Sequence, residues 1–268
     1  MRGPHGGEPY DLQRFWDAKA IGSGGDALRA ACHDDPGSNR VIDRVQRRAV
    51  AWGFRRLPPD LSARGARLLD FGCGPGRWVD VFNEYGFSYS GVDFSTEMLR
   101  LARTLHPAAN FAAMVGGRIP HPDAAFDLVC SIAVIHHNSY QRQEEVLTEI
   151  SRVVRPGGFA ILFEGLGPRT TRGIVFPRPA ADWTSALEKR GFRLRHRRGY
   201  RYWFLRSIVL AIGRRAPGGR SLAWGSAVAK PAWQRLTDRV DEMLVPRFAP
   251  MLPPRSQNRG LFVLQRVA

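Results

Sequence analysis

Leu68-Leu69-Asp70-Phe71-Gly72-Cys73-Gly74-Pro75-Gly76-Arg77-Trp78 is the stretch that decides the fold. The apolar run from Ala66 to Phe71, bounded by glycine, predicts a buried strand. An acid near its end is followed by Gly72, Gly74 and Gly76, and then by an apolar-periodic helix expected over 76–86. Glycines at a strand-to-helix turn allow tight dihedrals and let a ligand lie against main chain without meeting a Cβ. No Gly-Lys-Ser/Thr follows, so the loop is not a P-loop.

Working outward, Ser88-Tyr89-Ser90-Gly91-Val92-Asp93 predicts a second strand, ending in an acid about 20 residues after the glycine loop, where βαβ units use an acid to accept from ribose hydroxyls. The glycine spacing departs from the dinucleotide fingerprint, and an acid, Asp70, sits inside the loop itself. This pattern resembles the class I S-adenosylmethionine-dependent methyltransferases, whose first motif is a strand ending in Asp/Glu-x-Gly-x-Gly-x-Gly. Three later stretches extend the resemblance over Ala66 to Glu164. Phe126-Asp127-Leu128-Val129-Cys130-Ser131 looks like the family's fourth strand, and Val134-Ile135-His136-His137 like the turn after it. Arg152 to Leu162, containing Arg155-Pro156-Gly157-Gly158, looks like its helix end and fifth strand.

The residues themselves alternate strand and helix. Strands are expected at 66–71, 88–93, 110–115, 126–132 and 158–164, with helices at 76–86, 95–105 and 141–154. Such alternation predicts an α/β fold, a Rossmann-like parallel sheet with helices on both faces. A helix at Ala180–Arg190, a strand from Gly191 to about Arg198 and a final antiparallel strand at Leu261–Val267 complete it. Before this core, residues 1–60 are expected to form a helical lid segment, and 61–268 the methyltransferase domain. Within the lid, Tyr10–Ala20 has helical spacing and offers Tyr10, Phe15 and Trp16 to the cofactor. The stretch 21–39 reads as a loop, with Asn39 capping a helix over Arg40–Phe54. Residues 200–254 do not fit the minimal fold and are expected to form a helical cap insertion, with helices at Tyr202–Ile212 and Ala232–Leu244.

The resemblance implies S-adenosylmethionine as cofactor, gathered at the carboxyl ends of the strands. Asp70 and the amides of Gly72 to Gly76 are expected at the methionine part, Asp93 at the ribose, and Phe94 and Met98 at the adenine. Cys73, Ser95, Gly116, Ser131 and Trp16 are expected in the same site. Relatives often carry an Asp after the third strand; Val115 stands at that position here. His136 and His137 follow the fourth strand, where a histidine can take a proton from a phenol, hydroxyl or amine. Tyr140 and Glu164 are further candidates at that rim. No His/Asp/Glu set has metal-ligand spacing. The chain lacks Asn-Pro-Pro-Tyr/Phe and Pro-Cys after the fourth strand, so the resemblance points to a small-molecule acceptor, with O-methylation in a natural-product or secondary-metabolite pathway expected first.

Composition bounds the partners. The 268 residues carry a net charge of +16, almost all of it from arginine. The arginines are spread along the chain and so are expected to be solvated surface rather than a nucleic-acid footprint. RNA methylation on that surface is the alternative. Another is methylation of a lipid quinone, with Tyr202–Ile212 lying on the membrane surface; the segment is too short to span a bilayer. Cys32, Cys73 and Cys130 are an odd set, two of them in the cofactor region, which suggests a reducing cytoplasm; the first ten residues contain no apolar signal-peptide core.

Overall fold

The computed structural model describes residues 11–32, 36–63, 65–169, 174–202 and 257–267. Its elements run α1 (Leu12–Gly22), α2 (Ala27–Ala31), α3 (Pro36–Phe54), α4 (Asp60–Ala63), β1 (Arg67–Phe71), α5 (Val79–Glu84), β2 (Ser88–Asp93), α6 (Thr96–Leu105), β3 (Asn110–Ala113) and β4 (Phe126–Ile132). A 3-10 turn (Ile135–His137) follows, then α7 (Tyr140–Val153), β5 (Val154–Gly165), α8 (Ala180–Glu188), β6 (Phe192–Tyr202) and β7 (Gln257–Arg266). The seven strands form one sheet in the order β3-β2-β1-β4-β5-β7-β6. The first five are parallel, and β7 runs antiparallel to both β5 and β6.

The two-residue period of the strands sorts the core into two layers. Leu69, Phe71, Val129 and Leu162 face Val146, Leu147 and Ile150 of α7 and Trp183 and Leu187 of α8. Leu68, Leu128, Ile161 and Val263 face the opposite way, onto Val50 and Phe54 of α3 and Val79 and Phe82 of α5. Burying each such Leu, Val or Phe side chain is worth roughly 1.5–3 kcal/mol, which holds both helical layers on the sheet. The strand order reverses between β1 and β4, and that switch point opens the crevice in which α/β sheets hold ligands.

Several boundaries differ from the sequence expectation. The helix after the glycine loop begins at Val79 rather than at residue 76, because Gly76 sits at φ +76°, outside helical backbone. α3 begins at Pro36, so Asn39 is a buried residue within the helix and not its cap; proline is suited to a first helical turn, having no N–H to leave unpaired. The expected loop 21–39 contains α2, which Asp26 caps by accepting from the N–H of Arg29. The final strand starts at Gln257 and lies between β5 and β6, an order that no local pattern encodes. Tyr10 and nearly all of the proposed 200–254 cap lie outside the described residues; Tyr200 and Tyr202 close β6.

Candidate functional site

A cavity of about 530 Å³ opens where β1, β2 and β4 end, and Phe15 and Trp16 of α1 form part of its wall. That size falls within the usual range of small-ligand sites, roughly 300–1,000 Å³. α1 is tied to the start of α6 by Asp17, whose Oδ1 accepts from the Ser95 hydroxyl at 2.6 Å and from the N–H of Glu97 at 3.3 Å.

The glycine loop is shaped by its own hydrogen bonds. The N–H groups of Gly72 and Cys73 both donate to the Val92 carbonyl, at 2.8 and 3.0 Å, and Gly76 donates to Cys73. Gly74 donates to Asp93 Oδ2 at 2.9 Å. The loop amides are therefore engaged within the protein and are not the free donors the sequence suggested. What the loop supplies is bare backbone. A Cβ on Gly74 would meet only the Met98 sulfur, at 4.0 Å, so the space beside this residue belongs to the cavity. Gly72, at φ +72°, is required for a different reason: a Cβ there would lie 2.4 Å from Val134.

Two buried carboxyl groups line this end. Asp70 accepts from the Tyr89 hydroxyl at 3.1 Å; burial pushes its pKa up to about 7, aided by Asp93 and opposed by Tyr89 and Arg77. Asp93 accepts from the N–H groups of Gly74 and Ser95, and burial raises it against those bonds. Beside them, Arg77 donates to Cys32 Sγ at 3.0 Å and to Gln46, while its buried Nε has no hydrogen-bond partner among the described residues. Two acids, Arg77 in the wall and open backbone suit a ligand with a cationic amine, a carboxylate and a diol. An amino-acid-bearing nucleoside such as S-adenosylmethionine fits that donor set.

Of the residues expected from sequence, Trp16, Asp70, Gly72, Cys73, Gly74, Asp93, Phe94, Met98 and His137 line the cavity. Five others do not. Val115 is 78% exposed and, with Gly116, belongs to a turn closed by a bridge to Arg118, because the chain leaves the sheet at Ala113. Ser95 is consumed as the N-cap of α6, its Oγ accepting from Met98, and Ser131 is fully buried within β4. Gly76 packs toward His106 and Phe111.

His136 also turns away. Its ring is fully buried, with Nδ1 2.6 Å from Glu164 Oε2 and Nε2 hydrogen-bonded to Arg259, so neither nitrogen is left to serve a ligand. Glu164 further accepts from the N–H groups of Ile135 and His136, which ties the turn after β4 to β5. Tyr140 is likewise occupied, donating to the Pro177 carbonyl at 3.1 Å.

His137 faces the cavity. Its Nδ1 lies 3.2 Å from the Ile174 carbonyl, which can only accept, so Nδ1 carries the hydrogen and Nε2 the lone pair. Burial and then the neighbouring Arg259 pull its pKa down to about 4, leaving the ring neutral. Ala133, at φ +63°, ends β4 and turns the chain into this segment, a backbone strain of the kind concentrated at functional sites. The sequence missed Lys19, Gln46, Arg77, Tyr200 and Arg259 as cavity residues. Arg77 directly follows the loop motif and was within reach of it; Arg259 lies 123 residues from His136 and carried no local signal.

Comparison with known proteins agrees with this geometry. Residues 69–162 match the family described as a methyltransferase domain. The malonyl-[acyl-carrier protein] O-methyltransferase of Salmonella typhimurium is 34% identical over 154 residues, which cover 52% of this chain and 59% of that protein. Ajmaline N-methyltransferase of Rauvolfia serpentina is 32% identical over 130 residues, 46% of this chain and 42% of its own length. The tRNA (carboxymethyluridine(34)-5-O)-methyltransferase of Saccharomyces cerevisiae is 32% identical over 100 residues, 37% of this chain and 35% of the yeast protein. The chain thus spans between about a third and three fifths of these curated relatives. Among solved structures, a chain of the complex containing the Haloferax volcanii Trm112 methyltransferase activator aligns over 97% of this chain and 100% of itself, with a TM-score of 0.59 and 16% identity. An S-adenosylmethionine-dependent methyltransferase from Mesorhizobium loti aligns over 81% and 96%, with a TM-score of 0.51 and 18% identity. Residues 69–162 thus match a methyltransferase domain, and the chain shares its fold with the Mesorhizobium loti methyltransferase.

Proposed function

We propose that the protein transfers a methyl group from S-adenosylmethionine to a hydroxyl of a small organic acceptor, in a natural-product or secondary-metabolite pathway. When bound, the cofactor supplies an electrophilic methyl on a positively charged sulfur. The chain's own residues do the rest. Asp70 would hold the ammonium group, Asp93 the ribose hydroxyls and Arg77 the carboxylate, with room for the chain between them at the open backbone of Gly74. Phe94 and Met98 line the adenine side, and α1 closes Phe15 and Trp16 over the cavity, keeping water out. In this scheme residues 1–60 are the lid and 61–268 the catalytic domain.

The observation that carries the choice of a hydroxyl is the Nε2 lone pair of His137 in the same cavity wall. It can orient an O–H and receive its proton as the new C–O bond forms. The relatives include O-methyltransferases, an N-methyltransferase and a tRNA methyltransferase, so an amine or an RNA base would be the competing acceptors. No helix among the described residues is long and apolar enough to cross a membrane. All three cysteines are free thiols, in keeping with our assignment to a reducing cytoplasm. The test is transfer of labelled methyl from S-adenosylmethionine to matched phenols, alcohols, amines and bulk RNA. Label on the hydroxyl compounds, lost in His137→Ala, supports the proposal; label only on amines or RNA contradicts it.

A further inference from the structure

Arg259 stands on β7 opposite Gly165 of β5 and lines the cavity three strand positions from β1, roughly 14 Å away at ordinary strand spacing. Its Nη1 donates to His136 Nε2, which requires that ring to be neutral, with Nδ1–H donating to Glu164. The guanidinium is thus held by a buried Glu164–His136 pair, and no acid among the described residues lies in direct ion-pair contact with it. A guanidinium has five N–H donors in a fixed fork matched to a carboxylate. One goes to His136, and the described residues supply no partner for the others.

Its surroundings define a ligand. Asp70 and Asp93 are at the β1 and β2 end, occupied with Tyr89 and the loop amides. Around the neutral His137, whose Nδ1 meets the Ile174 carbonyl, the wall includes Val134, Ile174 and Val175, Val134 also reaching the glycine loop at Gly72. We infer that Arg259 binds a carboxylate of the acceptor, so that the substrate is an organic acid whose apolar body packs on Val134, Ile174 and Val175. This deepens the small-molecule methyl-transfer proposal and rests on it. The Glu164–His136 pair fixes the fork's orientation, which lowers the entropy lost on binding. An anion there also offsets the Arg259 charge, which after burial is the second cause holding the His137 pKa down.

The probe pair is benzoate and benzamide, equal in shape and different in charge, titrated calorimetrically into protein saturated with S-adenosylhomocysteine. The wild type is expected to prefer benzoate by about tenfold or more, the worth of one charge-assisted contact. Arg259→Gln should erase the preference and Arg259→Lys, which keeps the charge without the fork, retain only part of it, with S-adenosylhomocysteine affinity changed less than about threefold in either. Equal binding of the two probes to the wild type, binding of neither, or a preference that survives Arg259→Gln overturns the inference while leaving methyl transfer standing. If wild-type protein does not bind S-adenosylhomocysteine, the methyl-transfer proposal fails and this one with it. Should Arg259→Gln not fold, the wild-type comparison and Arg259→Lys decide alone.

Discussion

Nδ1 of His136 lies 2.6 Å from Oε2 of Glu164, and both side chains are fully buried. Burial raises the Glu164 carboxyl, opposed by the N–H groups of His136 and Ile135 and by Arg259. The pair fastens the turn after β4 to β5 and so sets the place of His137. Glu164→Gln turns an amide N–H₂ toward groups that themselves donate. It should cost about 1–3 kcal/mol, the usual penalty for leaving a buried hydrogen-bonding group unsatisfied. Urea unfolding measures it; a loss near zero would mean that the turn is held by something else.

Asp70 couples ligand binding to pH. Its folded pKa of about 7 lies above the ordinary value of 3.8, so the folded state holds a proton that the unfolded chain has released. Its contribution to stability is therefore fully present at low pH and declines as pH rises from about 4 to 7. A cationic ligand amine favours the carboxylate, so cofactor affinity should rise with pH toward 7 and level off above it. Calorimetry at pH 6 in two buffers of different ionisation enthalpy should detect a released proton. Asp70→Asn should abolish that release and weaken binding, yet raise the melting temperature at pH 8. A mutant that loses stability there would contradict this account of Asp70.

Gly72 tests the loop. Alanine at φ +72° is strained, and its Cβ would fall 2.4 Å from Val134 Cγ1. Gly72→Ala should cost more than about 2 kcal/mol, combining backbone strain with overpacking. Adding Val134→Ala should recover part of the loss and leave the strain, which a double-mutant cycle of unfolding free energies separates.

Arg178 is 1% exposed, and its guanidinium donates to Gln143 Oε1, Glu144 Oε1 and the Tyr140 carbonyl. It staples the segment bearing Ile174, whose carbonyl orients His137, to α7. Arg178→Met should destabilise the protein by roughly 2–4 kcal/mol and lower turnover more than cofactor affinity. Unchanged turnover would show that the 174–178 segment does not position His137.

These particulars explain what could be read in advance. The parallel core was legible because Leu68–Phe71, Val92–Asp93 and Phe126–Ser131 carry their burial in apolar runs that local pattern reveals. Gly74, Asp93 and Met98 were legible as a motif of fixed spacing, and all three line the cavity. Val115 was misplaced because alignment to a family position cannot show that the chain leaves the sheet two residues earlier. The neighbours His136 and His137 look equivalent in sequence, but one is claimed by Glu164 and Arg259 and only the other faces the cavity. That division depends on β7, which enters between β5 and β6 and brings Arg259 into a site whose motifs lie at the other end of the chain.

The central claim is that the cavity beside Gly74 and Asp93 holds the methyl donor. Calorimetric titration with S-adenosylmethionine and S-adenosylhomocysteine, with Asp93→Ala alongside, tests it most directly. The account predicts binding at a Kd of about 10 μM or tighter, an energy near −7 kcal/mol, weakened at least about tenfold in the mutant. A folded wild-type protein that binds neither compound would contradict it.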